Sequence, residues 1–194
     1  MSYHIYTTEG IILKRVSFGE ANLLLHILTS DLGLILASAR SARLSLSKLR
    51  PALQEYAHVS VSCVKGKNGW KVTNVMEKGS LYFGYPEHSH KILANVVALL
   101  IKMIPGEAVH PEIFFTVKSG FEFLKSLEEK DVESLEILLV LRVLYQLGYV
   151  SSNLDIKDFL ENVTDWDITL LQNVSEKKLE VIQIINKALR ESHL

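Results

Sequence analysis

The hydrophobic period of this sequence changes once, between Glu77 and His88. Before that point short apolar runs alternate with turn residues. After it, apolar residues recur at helical spacing. A strand repeats its faces every two residues and a helix every 3.6, so one pattern cannot serve both elements. The chain therefore reads as an α+β protein of two domains, a β domain over residues 1–80 and an all-α domain over residues 81–194.

Five strands are expected in the first domain. Gly10 to Val16 is rich in β-branched and aliphatic residues, and Ser17-Phe18-Gly19-Glu20 turns into the apolar run Ala21 to Thr29. Asp31-Leu32-Gly33 reverses the chain into Leu34 to Ala39. Tyr56 to Lys65 alternates with period two, and Gly66-Lys67-Asn68-Gly69 leads into Trp70 to Glu77. Between the third and fourth strands, the leucines at 44, 46, 49 and 53 do not follow strand alternation, so Arg40 to Gln54 reads as a loop with a helical turn. This is the order of a five-stranded OB-fold β-barrel, a frequent binder of nucleic acid. SH3-like barrels also offer five short strands.

In the second domain, His88 to Ile104 carries helical spacing and Pro111 opens a second helix. Val132 to Leu147 is apolar nearly all round, as a central helix would be. A short helix is expected over Leu154 to Val163. Ser175 is expected to cap a last one running to about Glu191, with Leu179, Ile182, Ile185, Ala188 and Leu189 inward.

Charge is divided along the same line. Residues 1–80 hold ten Lys/Arg against five Asp/Glu, a net of +5, and residues 81–194 hold eleven against seventeen, a net of −6. Such an asymmetry fits a chain with one half facing a polyanion. Arg40, Arg43, Lys48 and Arg50 fall between Leu32 and Gln54 with no acid among them. Together with Lys14 and Arg15 on the first strand, and Lys65, Lys67 and Lys71 on the second hairpin, they are the candidate phosphate contacts, since neutralised phosphates supply most nucleic-acid affinity. Lys14 and Arg15 are adjacent and point to opposite faces of a strand, so both serve one ligand only at the strand's end. Phe18 and Tyr56 are candidate base-stacking residues; packing of Phe18 on the barrel rim is the plainer role. Trp70 reads as core.

Nothing points to catalysis. There is no phosphate-binding glycine loop, nucleophile elbow or His-rich hydrolase motif. No catalytic residue, cofactor or metal is assigned. The single cysteine, Cys63, lies in an alternating run and reads as a small buried apolar residue. His88-Ser89-His90 lacks a third ligand. No signal-peptide pattern opens the chain, and Ile92 to Ile104 is too short to span a bilayer, so a cytoplasmic protein is expected.

Several short stretches then become recognisable in order. Glu9-Gly10-Ile11-Ile12-Leu13-Lys14-Arg15, Gly19-Glu20-Ala21, Leu24-Leu25, Leu28-Thr29, Gly33 and Ala39-Arg40 closely resemble the opening of the bacterial RecO family. Ala52-Leu53-Gln54, Leu141-Arg142 to Leu147-Gly148-Tyr149, and Ala188-Leu189-Arg190 to His193-Leu194 are similar to later stretches of that family. The resemblance implies an OB-fold followed by helices, and a nucleoid-associated role in recombinational DNA repair. It also implies binding of single- and double-stranded DNA, annealing of complementary strands, and work with RecR, single-strand binding protein and, indirectly, RecA. Many members carry a four-cysteine zinc module after the segment matching Leu147-Gly148-Tyr149; Ser151 to Asn173 has no cysteine and cannot form it. The chain thus resembles a short member without the zinc module, and its stop at Leu194 is expected to trim a partner surface. Leu44-Ser45-Leu46 also stands where the family carries more charge. These departures motivate a competing expectation, a protein-interaction adaptor whose barrel binds DNA weakly or not at all.

Overall fold

The computed structural model describes residues 4–80, 86–152 and 156–192. The domain boundary expected near residues 80–86, the start of the short helix expected at Leu154, and His193-Leu194 fall largely or wholly outside the described residues. The chain forms two compact units, Met1–Phe83 with Ile104–Phe114, and Gly84–Met103 with Phe115–Leu194.

The first unit is a closed barrel of β1 (Ile5–Phe18), β2 (Asn22–Thr29), β3 (Gly33–Ala39), β4 (Ala57–Gly66) and β5 (Gly69–Ser80), joined in the order β1-β2-β3-β5-β4. All neighbours are antiparallel except β3 and β5, which meet in parallel through Ala37–Trp70 and Ser38–Lys71. That is the OB-fold order, and it sets the SH3-like alternative aside. β1 is longer than the run that announced it because it serves two partners. Ile5–Ile11 pairs with β4, and Gly10–Phe18 pairs with β2 across an irregularity between Ile12 and Lys14. Gly10 stands where the two ladders overlap, and a Cβ there would lie 2.8 Å from Ile27 Cγ2. Ile12, Leu25, Ile27, Ile35, Leu53, Val59, Val61, Cys63 and Trp70 fill the interior.

Arg40 to Gln54 contains no helix. Four successive backbone bonds of i to i+3 type hold it: Leu44 N to Ser41 O, Ser47 N to Leu44 O, Arg50 N to Ser47 O and Leu53 N to Arg50 O. The expected single helical turn is thus a run of tight turns that drops Leu53 into the barrel and leaves Leu44 and Leu46 outside. The stretch Ile104–Phe114 lies against the barrel although its sequence falls among helices. Leu34 N donates to Gly106 O at 3.0 Å. Gly33, at φ +70°, lies so close that a Cβ would run into the Ala108 carbonyl.

The second unit is helical: α1 (Ser89–Met103), α2 (Pro111–Leu124, which begins in the barrel unit), α3 (Glu129–Gln146), α4 (Lys157–Leu160), α5 (Ile168–Glu176) and α6 (Lys178–Glu191). α3 is buried nearly all round and is packed by α1, α4, α5 and α6. It carries the fully buried Arg142, whose Nε donates to Phe159 O at 2.9 Å and Nη1 to Val163 O at 3.1 Å and Asp165 O at 2.8 Å. The guanidinium also lies over the Trp166 ring, 4.3 Å from its centroid. Ser175 does not cap the last helix; it lies within α5, whose cap is Asp167, accepting from Leu170 N at 2.8 Å. Ile185 and Ala188 are buried as expected and Ile182 and Leu189 are half-buried, but in the first turn Leu179 points outward at 79% exposure and Val181 is buried. Among the described residues no helix is long and apolar enough to cross a membrane.

Candidate nucleic-acid interface

Strand register sorts the cations, because residues paired directly across strands share a face. Arg15 pairs with Leu25 and through it with Ala37, and Ser17 pairs with Leu23 and through it with Ala39. These partners are buried, so Arg15 and Ser17 belong to the inner side. Lys14 pairs with His26 and then Leu36, and Val16 with Leu24, Ser38 and Lys71. Those rows form the outer side. Lys14 and Arg15 therefore face opposite ways, as adjacent strand residues must. Both are open to solvent because β1 leaves β4 after Ile11, and Lys14–Phe18 is exposed throughout.

At the inner end of the barrel lies a cleft of about 270 Å³ lined by Arg15, Ser17, Leu23, Ala42, Arg43 and Arg50. Neutral oxygens hold two of its guanidiniums. Arg15 Nη1 donates to Gln54 Oε1 at 2.8 Å and to Leu53 O at 3.4 Å, while its backbone N–H donates to Glu55 Oε1. Arg43 Nη1 donates to Glu20 O at 3.0 Å and Gly19 O at 3.4 Å, and its backbone N–H to Ala21 O at 2.9 Å. The Arg50 guanidinium has no hydrogen bond or ion pair among the described residues; only its backbone is engaged, its N–H donating to Ser47 O and its carbonyl accepting from Leu53 N and from Gln54 Nε2 at 2.9 Å. No described carboxylate forms an ion pair with any of the three. Three like charges thus line one cleft with no described carboxylate paired to them, and like charges so placed raise the local potential for an anion.

The other candidates lie elsewhere. Arg40 and Lys48 are exposed on the same crossing segment but do not line the cleft. Lys67 is exposed in the β4–β5 loop, and Lys71 is half-buried on the outer side beside Ser38. Lys65 is engaged by Glu107 at 2.5 Å and lies over the Trp70 ring. Lys78, which no sequence pattern singled out, pairs with Glu9. The cations thus form two groups rather than one groove, arginines inside the barrel mouth and lysines on the β2–β3 side, the face that OB-folds offer to oligonucleotides along with their β1–β2 and β4–β5 loops. That outer side also carries a largely apolar cleft of about 320 Å³ lined in part by Leu24, Leu36, Asn68 and Trp70.

Phe18 ends β1 at 58% exposure, free of the core. Tyr56 is half-buried at φ +63°, and its N–H donates to Ile12 O at 2.7 Å, so it shapes the chain reversal into β4. Trp70 is core, edge-on to Tyr6. Burial, then the Lys14 charge, lower the affinity of His26 for a proton, and burial pushes the Cys63 thiol up to about 12. The Cys63 thiol is therefore protonated near neutral pH and unsuited to nucleophilic work. Among the described residues no three His, Cys, Asp or Glu side chains gather as a metal site. Ser17, the side-chain acceptor Gln54 and the carbonyls of Leu53, Gly19 and Glu20 had no signal as site residues in the sequence. A carbonyl leaves no mark in a residue pattern, and Ser17 and Gln54 reach the cleft only through the fold.

Residues 1–77 match the family model described as Recombination protein O N terminal. Three curated relatives, each named DNA repair protein RecO, align beyond that domain. The protein of Thermodesulfovibrio yellowstonii is 26% identical over 151 residues, covering 75% of this chain and 58% of the relative. That of Dehalococcoides mccartyi is 31% identical over 130 residues, covering 66% and 51%. That of Heliobacterium modesticaldum is 29% identical over 148 residues, covering 75% and 52%. The chain spans about half the length of the curated relatives it matches.

Proposed function

We propose, from the premise that this chain belongs to the RecO family, that its barrel binds DNA without catalysing a reaction and serves recombinational repair. The observation that carries this reading is the cleft of Arg15, Arg43 and Arg50, whose charges no described carboxylate neutralises. A sugar-phosphate chain entering it releases counterions, which is the main source of affinity for a polyanion. The exposed Phe18, with Lys14, Lys67 and Lys71 on the outer side, offers a second surface for bases and phosphates. In this role the protein binds single- and double-stranded DNA at the nucleoid, in the cytoplasm. It anneals complementary strands and works with RecR, single-strand binding protein and, indirectly, RecA.

Titration of a labelled single-stranded oligonucleotide across a range of salt, followed by an annealing assay, tests the reading. If about four phosphates are neutralised, log K falls against log salt with a slope of roughly −3. Paired charge reversal, Arg43→Glu with Arg50→Glu, is expected to abolish binding. A wild type that does not bind, or a variant that binds as well, refutes the assignment. The exposed Leu44 and Leu46 favour a second reading, an adaptor that holds proteins rather than DNA. Capture of RecR or single-strand binding protein by a chain without DNA affinity selects it.

A further inference from the structure

Between Arg43 and Lys48 the chain carries two leucines that the barrel leaves outside. Leu46 is 94% exposed and Leu44 52%, whereas Leu49 and Leu53 of the same segment pack on or in the core. Lone exposed leucines are ordinary on protein surfaces. These two are set apart by how they are held and by what flanks them. Leu44 N donates to Ser41 O at 3.2 Å and Ser47 N to Leu44 O at 3.0 Å, so the tip is built from hydrogen-bonded turns. Its base is anchored where Ser41, at φ +52°, donates its N–H to Asn22 Oδ1 at 2.9 Å, and where Ala42 is fully buried. Arg40 and Arg43 precede the tip, Lys48 and Arg50 follow it, and the segment carries no acid.

An apolar tip flanked along the chain by cations calls for an apolar occupant with an anionic border. Single-stranded DNA has that form, with base faces between phosphates. A purely apolar protein patch would leave four cations unmatched. We propose that Leu44 and Leu46 pack against the faces of unstacked bases while the flanking cations hold the neighbouring phosphates; this rests on the DNA-binding reading above. Aliphatic side chains act in this way where proteins wedge between base steps. Such contacts neutralise no phosphate, so they add affinity without steepening the salt dependence.

The test compares a labelled oligonucleotide with an abasic oligomer of the same length, each titrated with the wild-type chain and with a Leu44→Ser, Leu46→Ser double variant. Both positions are exposed, so the fold is unaffected; a circular dichroism melt checks this. The wild type is expected to bind the base-bearing strand about tenfold more tightly, taking a base contact as roughly 1.4 kcal/mol. The double variant is expected to lose most of that preference, keeping only what Phe18 supplies, with the wild-type salt slope. A variant that keeps the preference overturns the assignment, and so does a wild type that shows none, the result given by a tip that docks an acidic protein segment. In both cases DNA binding itself survives. A wild type that binds neither oligomer overturns the DNA-binding reading as well.

Discussion

Replacing Arg50 with glutamine separates the charge of the arginine cleft from its architecture. Arg50 lines the cleft, is exposed, and its guanidinium has no hydrogen-bond or ion-pair partner among the described residues. Glutamine keeps a polar head on a shorter side chain while removing one positive charge. On single-stranded DNA each neutralised phosphate contributes about 0.7 to the slope of log K against log salt. Three arginine contacts then lose about 18-fold in affinity between about 50 and about 200 mM salt, and two lose about sevenfold. The variant's salt slope is therefore expected to be shallower than wild type by about 0.7, with an unchanged urea midpoint. Arg43→Gln is the matched contrast. It removes the same charge but also the bonds to the Gly19 and Glu20 carbonyls, a loss of roughly 1 kcal/mol. Fluorescence anisotropy at several salt concentrations, with urea unfolding alongside, measures both quantities. An Arg50→Gln slope equal to the wild-type slope, or a lowered urea midpoint, refutes the reasoning that Arg50 is held for an anion and not for the fold.

Three further outcomes follow from the geometry. Arg142→Leu leaves the Phe159, Val163 and Asp165 carbonyls without their donor and is expected to cost roughly 3 kcal/mol or more in urea unfolding; a loss below about 1 kcal/mol contradicts the clamp. Cys63, with its thiol pushed up to about 12 by burial, is expected to react with a thiol reagent only as the barrel unfolds; prompt reaction of the native chain at mildly alkaline pH contradicts that. The hydrogen bond from Lys65 holds the Glu107 carboxyl below its ordinary range, so the pair's small, solvent-screened stabilisation is complete above the unfolded-state pKa and fades as pH falls through the folded one. Acid titration of Trp70 emission, beneath Lys65, is expected to show this step in the wild type and to lose it in Glu107→Gln; an identical profile in both refutes the assignment.

The sequence alone determined those properties that are written locally. Alternation in Val59, Val61 and Cys63, the Asp31-Leu32-Gly33 and Gly66-Lys67-Asn68-Gly69 turns, and the all-round apolar run of α3 led to the barrel strands and the central helix, because side-chain period and turn chemistry act within a few residues. The excess of cations before residue 80 was equally plain. Other features were decided only by the tertiary structure. Ser175 is a good capping residue by type yet lies inside α5, which Asp167 caps, and the last helix starts after Lys177 without a side-chain cap. Arg15, Arg43 and Arg50 stand 28 and 7 residues apart in the sequence. They meet because β1 changes partners past an irregularity at Ile12–Lys14 and because the crossing segment folds as tight turns. Register determines which face a side chain takes, and a shift of one residue would carry Arg15 to the other side of the sheet. The charge was legible in the chain; its convergence depended on pairings between distant strands.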